Sequence, residues 1–596
     1  MRHFRNILTL LLTVMLVSSS FAAEKPHKFK IKKVVIGGNH AYTDKRLHRV
    51  IVSKPSVLFN PVYYYPDVLK DDLLGLQLFY QQNGYLSAFI EEFTVVLDSV
   101  KHRADIRIRI SEGELTRVDG ITIFDNTVFS DSVLMRLIPF KPGDPLRNEA
   151  IGDGTIALLK LYADHGYLDA DATLEVRVDS LAHMASIDYF IKEHSQFRID
   201  STLLKGLTKT KLHVVLREME FKNGEIVNYS KLLKSQRNLY LTGLFQSAFV
   251  RPVAPKSGAS GMKDILIELK ENKSREYNFS LGYGTVERAR TGIGLFNTNW
   301  RGSAQKLGLS IKLSFVQAGV EASFSEPWTF NTRWSTDLGA LIDYLIDPSY
   351  DQKTIGGRIT VGRILRNRWS TSLTYRHQNV ELSKIKIVTL PENIRTNIRS
   401  LKLTLSRDLR DNLFNPTKGS YLEQSVETAG LFRSASASFT RIRLLGRFFK
   451  TVTIGTVLGS GMELAWMASP RGFNSIILSE RLYAGGPTTL RAFKYKRAGP
   501  LDALGNPLGG GFMAVWNLVE VRQSIYKMIG GVAFLDVGNV WNRIDDAKID
   551  EVRISPGLGI RIDTPLGLFR TDYGFNIYPQ GSEPSGMFYF SVGQAF

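Results

Sequence analysis

The 596-residue sequence contains no cysteine. Disulfide bonds, thiolate metal ligands, cysteine nucleophiles and a lipid-modified cysteine anchor are therefore excluded for this chain. The ten histidines are scattered, without an HExxH pattern or a close cluster with carboxylates, and no GxxxxGK[ST] loop is present. The sequence thus predicts neither a metal ion nor another cofactor, and it predicts a protein that is not an enzyme.

Long apolar segments are also missing, apart from one near the start. The sequence opens with Met-Arg-His-Phe-Arg, continues through the apolar stretch Ile7–Val17 and then reaches small residues. This pattern predicts a secretory signal peptide over residues 1–22, cleaved after Ala22. The alternative is a membrane anchor, for which the run is short. No later segment reaches about 18 consecutive apolar residues, so we expect an exported protein without a spanning helix.

Positive charge dominates. The sequence contains 76 Lys and Arg residues and 57 Asp and Glu residues, which gives a formal net charge of +19. Such a balance suits binding either to nucleic acid or to anionic lipid headgroups. Export separates the protein from nucleic acid. The sequence therefore predicts an anionic lipid bilayer, and not nucleic acid, as a partner.

The N-terminal half repeats one pattern three times. The three stretches read LLGLQLFYQQNGYLSA from Leu73, IALLKLYADHGYLDA from Ile156 and LLKSQRNLYLTGLFQSA from Leu232. Each has the apolar periodicity of a helix and then a glycine, at Gly84, Gly166 and Gly243, where a helix end needs a left-handed residue. The glycines are about 80 residues apart, which predicts one small domain per repeat.

Alternating strands flank each of these helices. Val118–Phe124 opens the second repeat and Ala185–Ile191 closes it, and the other repeats have equivalent stretches. The order strand–helix–helix–strand–strand predicts three α+β domains over residues 28–112, 113–194 and 195–273. An exposed sheet edge in each domain could bind extended client chains. The alternative is that the domains are only spacers.

From about Tyr277 the helical periodicity ends and short alternating stretches follow one another. The remaining stretch of about 320 residues has room for sixteen tilted membrane strands of about 9–11 residues each, with their turns. The aromatic content of 11% and the 50 glycines suit the girdles and turns of such a structure. We therefore expect an antiparallel transmembrane β-barrel over residues 275–596, with a soluble β-sandwich as the alternative.

Three motifs in this half carry a family resemblance. They are LGYGTVERARTGIGLFNTNWRGSAQKLGLSIKLSF from Leu281 with FSEPW from Phe324, SRDLRDNLFNPTKGSYLEQSVETAG from Ser406, and RLYAGGPTTLRAFKYKRAGP from Arg481. In this order they resemble the BamA/TamA superfamily of outer-membrane assembly proteins, and the repeats resemble its POTRA domains. The three repeats look most like TamA-like members. The resemblance implies a sixteen-stranded barrel in the outer membrane of a Gram-negative bacterium, with the repeats in the periplasm.

The same resemblance implies that the segment from Arg481 is a loop that folds back into the barrel lumen. Its tip is Leu490-Arg491-Ala492-Phe493, in which Ala492 stands where the family has glycine, so a positive φ is less accessible there. An arginine inside a barrel needs an acidic partner. Asp536 is the first candidate and Glu520 the second. Without the resemblance, Arg491 would be interpreted as a solvated loop residue.

The first and last strands of a sixteen-stranded barrel close it by pairing with each other. This seam is expected to contain weakening glycines and aromatic residues, at Tyr277, Phe279, Gly282, Gly284, Phe590, Gly593 and Phe596. We therefore predict a lateral gate that offers a strand edge to a client.

The predicted function is the insertion or export of β-rich proteins, with unfolded outer-membrane or secreted proteins as clients. An inner-membrane-anchored protein is a further expected partner, implied by the TamA resemblance. Two alternatives remain at this point. One is a two-partner-type secretion pore for a soluble exoprotein, and the other is a passive outer-membrane channel.

Overall fold

The computed structural model describes residues 29–596, except 57–60, 432–434, 454, 565–566, 582 and 593–596. The predicted signal peptide lies outside the described residues. Within those residues, no helix is both long and apolar enough to cross a membrane. The chain divides into two compact units. One comprises Met1–Thr202, Phe221–Leu233 and Pro252–Ile265, and the other comprises Leu203–Glu220, Lys234–Arg251 and Leu266–Phe596.

Each of the three repeats folds as a strand, two helices and two further strands. The first has β1 (Lys30–Gly37), α1 (Asp44–Leu47), α2 (Pro66–Gln82), β2 (Phe89–Asp98) and β3 (Arg103–Ser111). The second has β4 (Arg117–Phe124), α3 (Asp131–Met135), α4 (Asn148–Asp164), β5 (Asp171–Asp179) and β6 (Met184–Lys192). The third has β7 (Arg198–Lys205), α5 (Leu212–Leu216), α6 (Tyr229–Leu241), β8 (Phe245–Val253) and β9 (Met262–Glu271). The prediction of α+β repeats is confirmed.

The last strand of each repeat lies in the middle of its sheet, because the strand orders are β1–β3–β2, β4–β6–β5 and β7–β9–β8. The long helix covers one face. In α2 the buried residues Leu69, Leu73, Leu76 and Tyr80 recur every three or four positions, as an amphipathic helix requires. The glycines after the long helices have φ values of +98°, +91° and +71°, so the predicted left-handed positions are confirmed.

One partly exposed glutamate braces each repeat. These residues are Glu112, Glu193 and Glu271. Each glutamate stands at or just beyond the end of the middle strand and accepts hydrogen bonds from backbone N–H groups of the loop that follows the first strand. In the second repeat Glu193 accepts from Thr127 N–H and Val128 N–H at 2.9 Å each, and from Tyr162 O–H at 2.8 Å. The three glutamates each follow an apolar strand residue by two positions, so an alignment of the repeats alone could have found them.

We expect replacement of Glu271 by glutamine to loosen the loop that it braces. Its carboxylate accepts hydrogen bonds from the N–H groups of Thr208, Lys209 and Thr210 at 2.9–3.1 Å. The variant keeps one acceptor oxygen but loses the charge, at a cost of about 1–2 kcal/mol after allowance for solvent screening. In hydrogen exchange at neutral pH, these amides should exchange about tenfold faster. Glu268→Gln is the control, because Glu268 forms exposed ion pairs only.

The brace also has a defined pH dependence. Burial raises the pKa of Glu271, but hydrogen bonds from Thr208 and Thr210 outweigh it and lower the pKa from 4.5 to about 2. Because the folded-state pKa is depressed, the stabilisation is complete above about pH 4.5 and is lost as the pH falls through about 2. Amide protection that is equally acid-sensitive in wild type and Glu271→Gln would contradict this assignment.

Sixteen antiparallel strands close into a barrel within the described residues. They are β10 (Arg275–Gly284), β11 (Arg288–Trp300), β12 (Gln305–Ser314), β13 (Gln317–Glu326), β14 (Ser335–Ile346), β15 (Asp351–Ile364), β16 (Trp369–Ser383), β17 (Ile394–Asp408), β18 (Gly419–Ala429), β19 (Phe439–Thr453), β20 (Thr456–Ala468), β21 (Phe512–Tyr526), β22 (Ile529–Trp541), β23 (Arg553–Thr564), β24 (Gly567–Phe575) and β25 (Gly586–Val592). Apolar residues such as Leu307, Leu309 and Leu313 on β12 face outward and alternate with inner polar or small residues. The barrel prediction is confirmed, and the soluble β-sandwich is excluded.

One segment of the third repeat, Leu203–Glu220, packs against turns at one end of the barrel, within the same compact unit. Lys211 N–H donates to the carbonyl of Gly302 at 2.8 Å, and the Asn299 side chain donates to Thr210 Oγ1 at 2.9 Å. The Arg217 guanidinium lies 5.3 Å from the centre of the Trp328 ring. These contacts identify the end of the barrel against which this segment of the third repeat packs.

Candidate functional site

A long connection between β20 and β21, residues 469–511, folds into the barrel lumen and packs against its wall. Its apolar residues Leu490, Ala492 and Phe493 are buried in one cluster with Met513 on β21 and Val540 on β22. We call residues 476–511 the lumen loop. Because the apolar residues on both sides of Arg491 are buried, its side chain is held in a fixed position in the lumen.

Arg491 forms the tightest anchor between this loop and the wall. Its Nε and Nη2 donate to the two carboxylate oxygens of Asp536 at 2.8 Å each, and Nη1 donates to Glu520 at 2.7 Å. Arg491 is 3% exposed and Asp536 is fully buried. A bidentate pair of this kind joins charge to directional hydrogen bonds. The structure thus places Arg491 against both acidic residues that the sequence singled out.

Further contacts hold the loop tip in place around this ion pair. The Arg491 guanidinium stacks 3.4 Å from the centre of the Phe534 ring, and Ala492 N–H donates to Ser555 Oγ at 2.8 Å. Gly574 on β24 makes room for the tip, because a Cβ there would lie 2.6 Å from Ala492 N. Ala492 itself has no positive φ, so alanine in place of the family's glycine is accommodated without strain.

A second anchor lies at the start of the lumen loop and was missed by the sequence analysis. Glu480 accepts hydrogen bonds from Arg376 on β16 at 2.9 Å and from Arg441 on β19 at 2.7 Å. Glu427 on β18 completes the cluster, because it accepts from Arg376 at 2.7 Å. A third contact joins Lys496 to Asp347 beyond β14. The loop is therefore held near its start at Glu480, at its tip at Arg491 and in its middle at Lys496.

We expect Glu480→Gln to loosen the start of the lumen loop while the barrel still forms. The substitution leaves Arg376 and Arg441 with one fewer negative partner in a buried setting, which should cost about 2–3 kcal/mol. Limited proteolysis of the purified protein should show faster cleavage within residues 476–511. Glu463→Gln is the matched control, because Glu463 pairs with Arg443 at 2.7 Å entirely within the wall. Equal cleavage of both variants would contradict the anchor.

The seam between the first and last barrel strands is short within the described residues. β10 and β25 pair at Tyr283 with Val592 and at Gly284 with Ser591, and Thr285 exchanges hydrogen bonds with Phe590. By comparison, β10 and β11 pair at ten positions, and β24 and β25 at six. Few hydrogen bonds have to be exchanged at such a junction.

The other residues predicted for the seam are placed as follows. Tyr277 and Phe279 lie on β10 and are largely exposed on the outside of the barrel, and Gly282 lies beside the paired stretch. Phe590 lies on β25, with its ring centre 6.1 Å from that of Tyr283. Gly593 and Phe596 lie outside the described residues. The role of these residues as a gate remains a prediction.

The last strand and the lumen loop are joined directly. Tyr589 on β25 is buried in the lumen, where its hydroxyl donates to the carbonyl of Phe493 at 2.5 Å. Phe493 follows the Arg491 tip by two residues. The seam strand is thus held by the same loop tip that binds Asp536, and this connection was not apparent from the sequence.

Comparisons with known proteins agree with this architecture. A family model described as the Omp85 superfamily domain matches residues 299–596, and one described as surface antigen variable number repeat matches residues 29–113 and 116–194. The chain is similar to the outer membrane protein assembly factor BamA of Nitratidesulfovibrio vulgaris, with 24% identity over 96% of this chain and 74% of the relative. It is also similar to BamA of Neorickettsia risticii, with 22% identity over 91% of this chain and 75% of the relative.

Among solved structures, the fold matches that of BamA from Haemophilus ducreyi lacking POTRA domains 1–3. The TM-score is 0.67 and the identity 19%, over 81% of this chain and 99% of that structure. The likeness covers the closed barrel described above. Since the Omp85 model matches half of the chain and the repeat model matches the two domains before it, the protein belongs to the Omp85 superfamily and resides in the outer membrane with its repeats in the periplasm.

Proposed function

We propose that this protein is an outer-membrane assembly factor that inserts or exports β-rich client proteins through the seam between β10 and β25. The observation that carries the proposal is the short pairing of these strands within the described residues, which end at Val592, next to an anchored lumen loop. This pairing joins Tyr283 to Val592 and Gly284 to Ser591. The relatives named as outer membrane protein assembly factors support it.

The mechanism needs no nucleotide, because insertion exchanges one set of hydrogen bonds for another. An opened seam offers the edge of β10, whose outward residues Tyr277, Phe279 and Leu281 are already exposed on the lipid-facing side. A client strand that pairs with this edge satisfies backbone groups that lipid would leave unsatisfied. The barrel wall around the Arg491 anchor stays fixed while β25 moves, and the Tyr589–Phe493 hydrogen bond is the link that must break.

The repeats are proposed to receive clients or partner proteins in the periplasm. In the first repeat β2 is an edge strand, and its residues Phe93 and Val96 are exposed. An extended chain could add to this edge by strand pairing. An inner-membrane-anchored partner protein is a specific candidate for the repeats, on the TamA resemblance. Pure spacing between membrane and client is the alternative, and it predicts that charged substitutions on β2 have no effect.

Catalysis forms no part of the proposal. The buried ionisable groups of the lumen, such as Arg491, Asp536 and Glu480, are already engaged in ion pairs that hold the loop. The ion pairs assign each of these groups a structural role, which is to hold the lumen loop against the wall. We propose a protein that acts by strand exchange and not as an enzyme.

The test is client insertion by the purified protein in proteoliposomes. An unfolded outer-membrane β-barrel should fold into these membranes faster than into protein-free liposomes. A passive channel would instead give steady ion conductance without any acceleration. Depletion of the protein from cells distinguishes the secretion pore, because loss of one exoprotein with an unchanged outer-membrane proteome would favour export and overturn insertion.

A further inference from the structure

The end of the lumen on the side of the Leu203–Glu220 segment contains a basic cavity of about 550 Å³. It is lined by the turns that carry Asn415, Gly455 and Lys527 and, deeper in the lumen, by Thr488 and Arg491 of the lumen loop. Because these turns lie on the same end of the barrel as the turn at Gly302, which contacts the third repeat, the cavity opens towards the periplasm. A molecule that arrives from the repeats meets this cavity before it reaches the loop tip.

Seven cationic side chains line the cavity, and several of them already have acidic partners. Arg491 and Arg522 share Glu520, Arg410 binds Asp408, and Arg561 binds Asp572 at 2.7 Å. The remaining three are Arg447, Arg570 and Lys527, for which the described residues provide no hydrogen bond or ion pair. The lining also contains the carboxylates of Glu520 and Asp563, so seven cationic groups stand beside two acidic ones and the lining is positively charged overall.

Arg570 lies where its positive charge destabilises the barrel wall. Arg570 on β24 lies directly opposite Arg561 on β23, on the inner face of the wall. Like charges opposite each other on neighbouring strands destabilise a sheet. Asp572 binds Arg561 through two hydrogen bonds, at 2.7 and 3.0 Å, whereas no carboxylate among the described residues forms a direct ion pair with Arg570. Such a local conflict is typical of a site that a ligand completes.

Arg447 approaches the same cavity from β19, five strands away from β24 around the barrel. It lies on β19 across from Gly461 on β20, so no side chain on that neighbour covers it. Arg447 is exposed to the lumen, and Phe449 beside it adds an aromatic face to the cavity lining. Two guanidinium groups on separate strands of one cavity suit an extended chain that carries more than one carboxylate.

We propose that this cavity binds an acidic segment of a client polypeptide on its way to the seam. The inference rests on the proposed function, and it adds the chemistry of the client that the lumen selects. A polypeptide is favoured over a phospholipid because the cavity opens to the aqueous end of the lumen. A lipid would have to bring its acyl chains into a space that guanidinium groups line.

The test uses the full-length protein in non-ionic detergent and a fluorescent peptide of alternating aspartate and serine, followed by fluorescence anisotropy. The peptide should bind, and Arg447→Gln combined with Arg570→Gln should weaken binding by at least about tenfold. The corresponding asparagine–serine peptide should not bind. Added salt should weaken binding of the acidic peptide, since the contacts are electrostatic.

Lys402→Gln is the matched control for the double variant. Lys402 lies on β17 between Leu401 and Leu403, so strand alternation places it on the inner face, away from the cavity. Its removal lowers the lumen charge without touching the site and should leave peptide binding unchanged. If the double variant does not fold, Arg447→Gln alone serves, because Arg447 is exposed to the lumen.

Three outcomes would overturn the inference. They are equal binding by the double variant, equal binding of the asparagine peptide, and binding of a fluorescent short-chain phosphatidylglycerol in the absence of peptide binding, which would indicate a lipid site. Client insertion in proteoliposomes is measured on the same variants. Insertion without peptide binding would contradict only the proposed binding of acidic segments. Peptide binding without insertion would contradict the proposed function.

Discussion

Replacing Arg491 by alanine should destabilise the barrel by about 3–5 kcal/mol, because the change strands buried carboxylates without a counter-charge. Asp536 is fully buried and receives two of its hydrogen bonds from the Arg491 guanidinium, and Glu520 receives a third. Urea unfolding of the purified protein, followed by the gel shift between folded and unfolded barrel, measures the loss. Client insertion should fall with it, because the proposed opening needs the wall that carries Asp536 and Glu520 to stay fixed while β25 moves.

The control for Arg491 is an arginine with a comparable ion pair at the surface. Arg395 donates to Glu381 at 2.9 Å, but its side chain is 81% exposed. Arg395→Ala should therefore cost no more than about 1 kcal/mol. Arg491→Lys should give an intermediate loss, because lysine keeps the charge but cannot bind Asp536 in a bidentate manner. A loss for Arg491→Ala no larger than that for Arg395→Ala would contradict the anchoring role.

A double-mutant cycle can separate the ion pair from the packing around it. Asp536→Asn should be less harmful in the Arg491→Ala background than in the wild type, because the uncompensated carboxylate is then gone. The difference between the two costs is the coupling energy of the pair. Additive costs would show that Arg491 acts mainly through its stacking on Phe534.

The fold could be predicted in large part because its patterns are local. Strand alternation and the glycine after each long helix depend on neighbouring residues, and the structure has the predicted order of strands and helices in every repeat. Asp536 and Glu520 could be predicted as partners of Arg491 for a different reason. The family resemblance places the Arg491 loop inside the barrel, and acidic residues on inner strand faces are then the natural partners.

The second anchor could not be predicted in this way. Arg376 and Glu480 are 104 residues apart, and only the register of β16, β18 and β19 brings Arg376, Glu427 and Arg441 to one level of the lumen. A one-residue shift of any strand would turn its side chain to the lipid. Sequence periodicity gives the faces of a strand, but it does not give the height of one strand relative to the next. Gly574 was missed for the same reason, since its need to be small arises from the loop tip that packs on it.

Locking the seam with an engineered disulfide should abolish client insertion, and reduction should restore it. Gly284 and Ser591 lie opposite each other, and a Cβ built on Gly284 lies 4.0 Å from that of Ser591, within the usual range for a disulfide of about 3.5–4.5 Å. The chain has no cysteine of its own. In the variant Gly284→Cys/Ser591→Cys, the only possible intramolecular disulfide is therefore the one across the seam.

The matched control is a lock of the same residue types within the continuous wall. Gly362 on β15 pairs with Ser372 on β16, and a Cβ on Gly362 lies 3.4 Å from that of Ser372. The variant Gly362→Cys/Ser372→Cys should remain active when oxidised, because β15 and β16 pair at fourteen positions and do not need to separate. Normal insertion by the oxidised seam variant would exclude the gate. Loss of insertion in both locked variants would instead indicate that the whole barrel has to flex. The seam mechanism requires only the β10–β25 pairing to open, so it predicts that a lock between any other two strands has no effect.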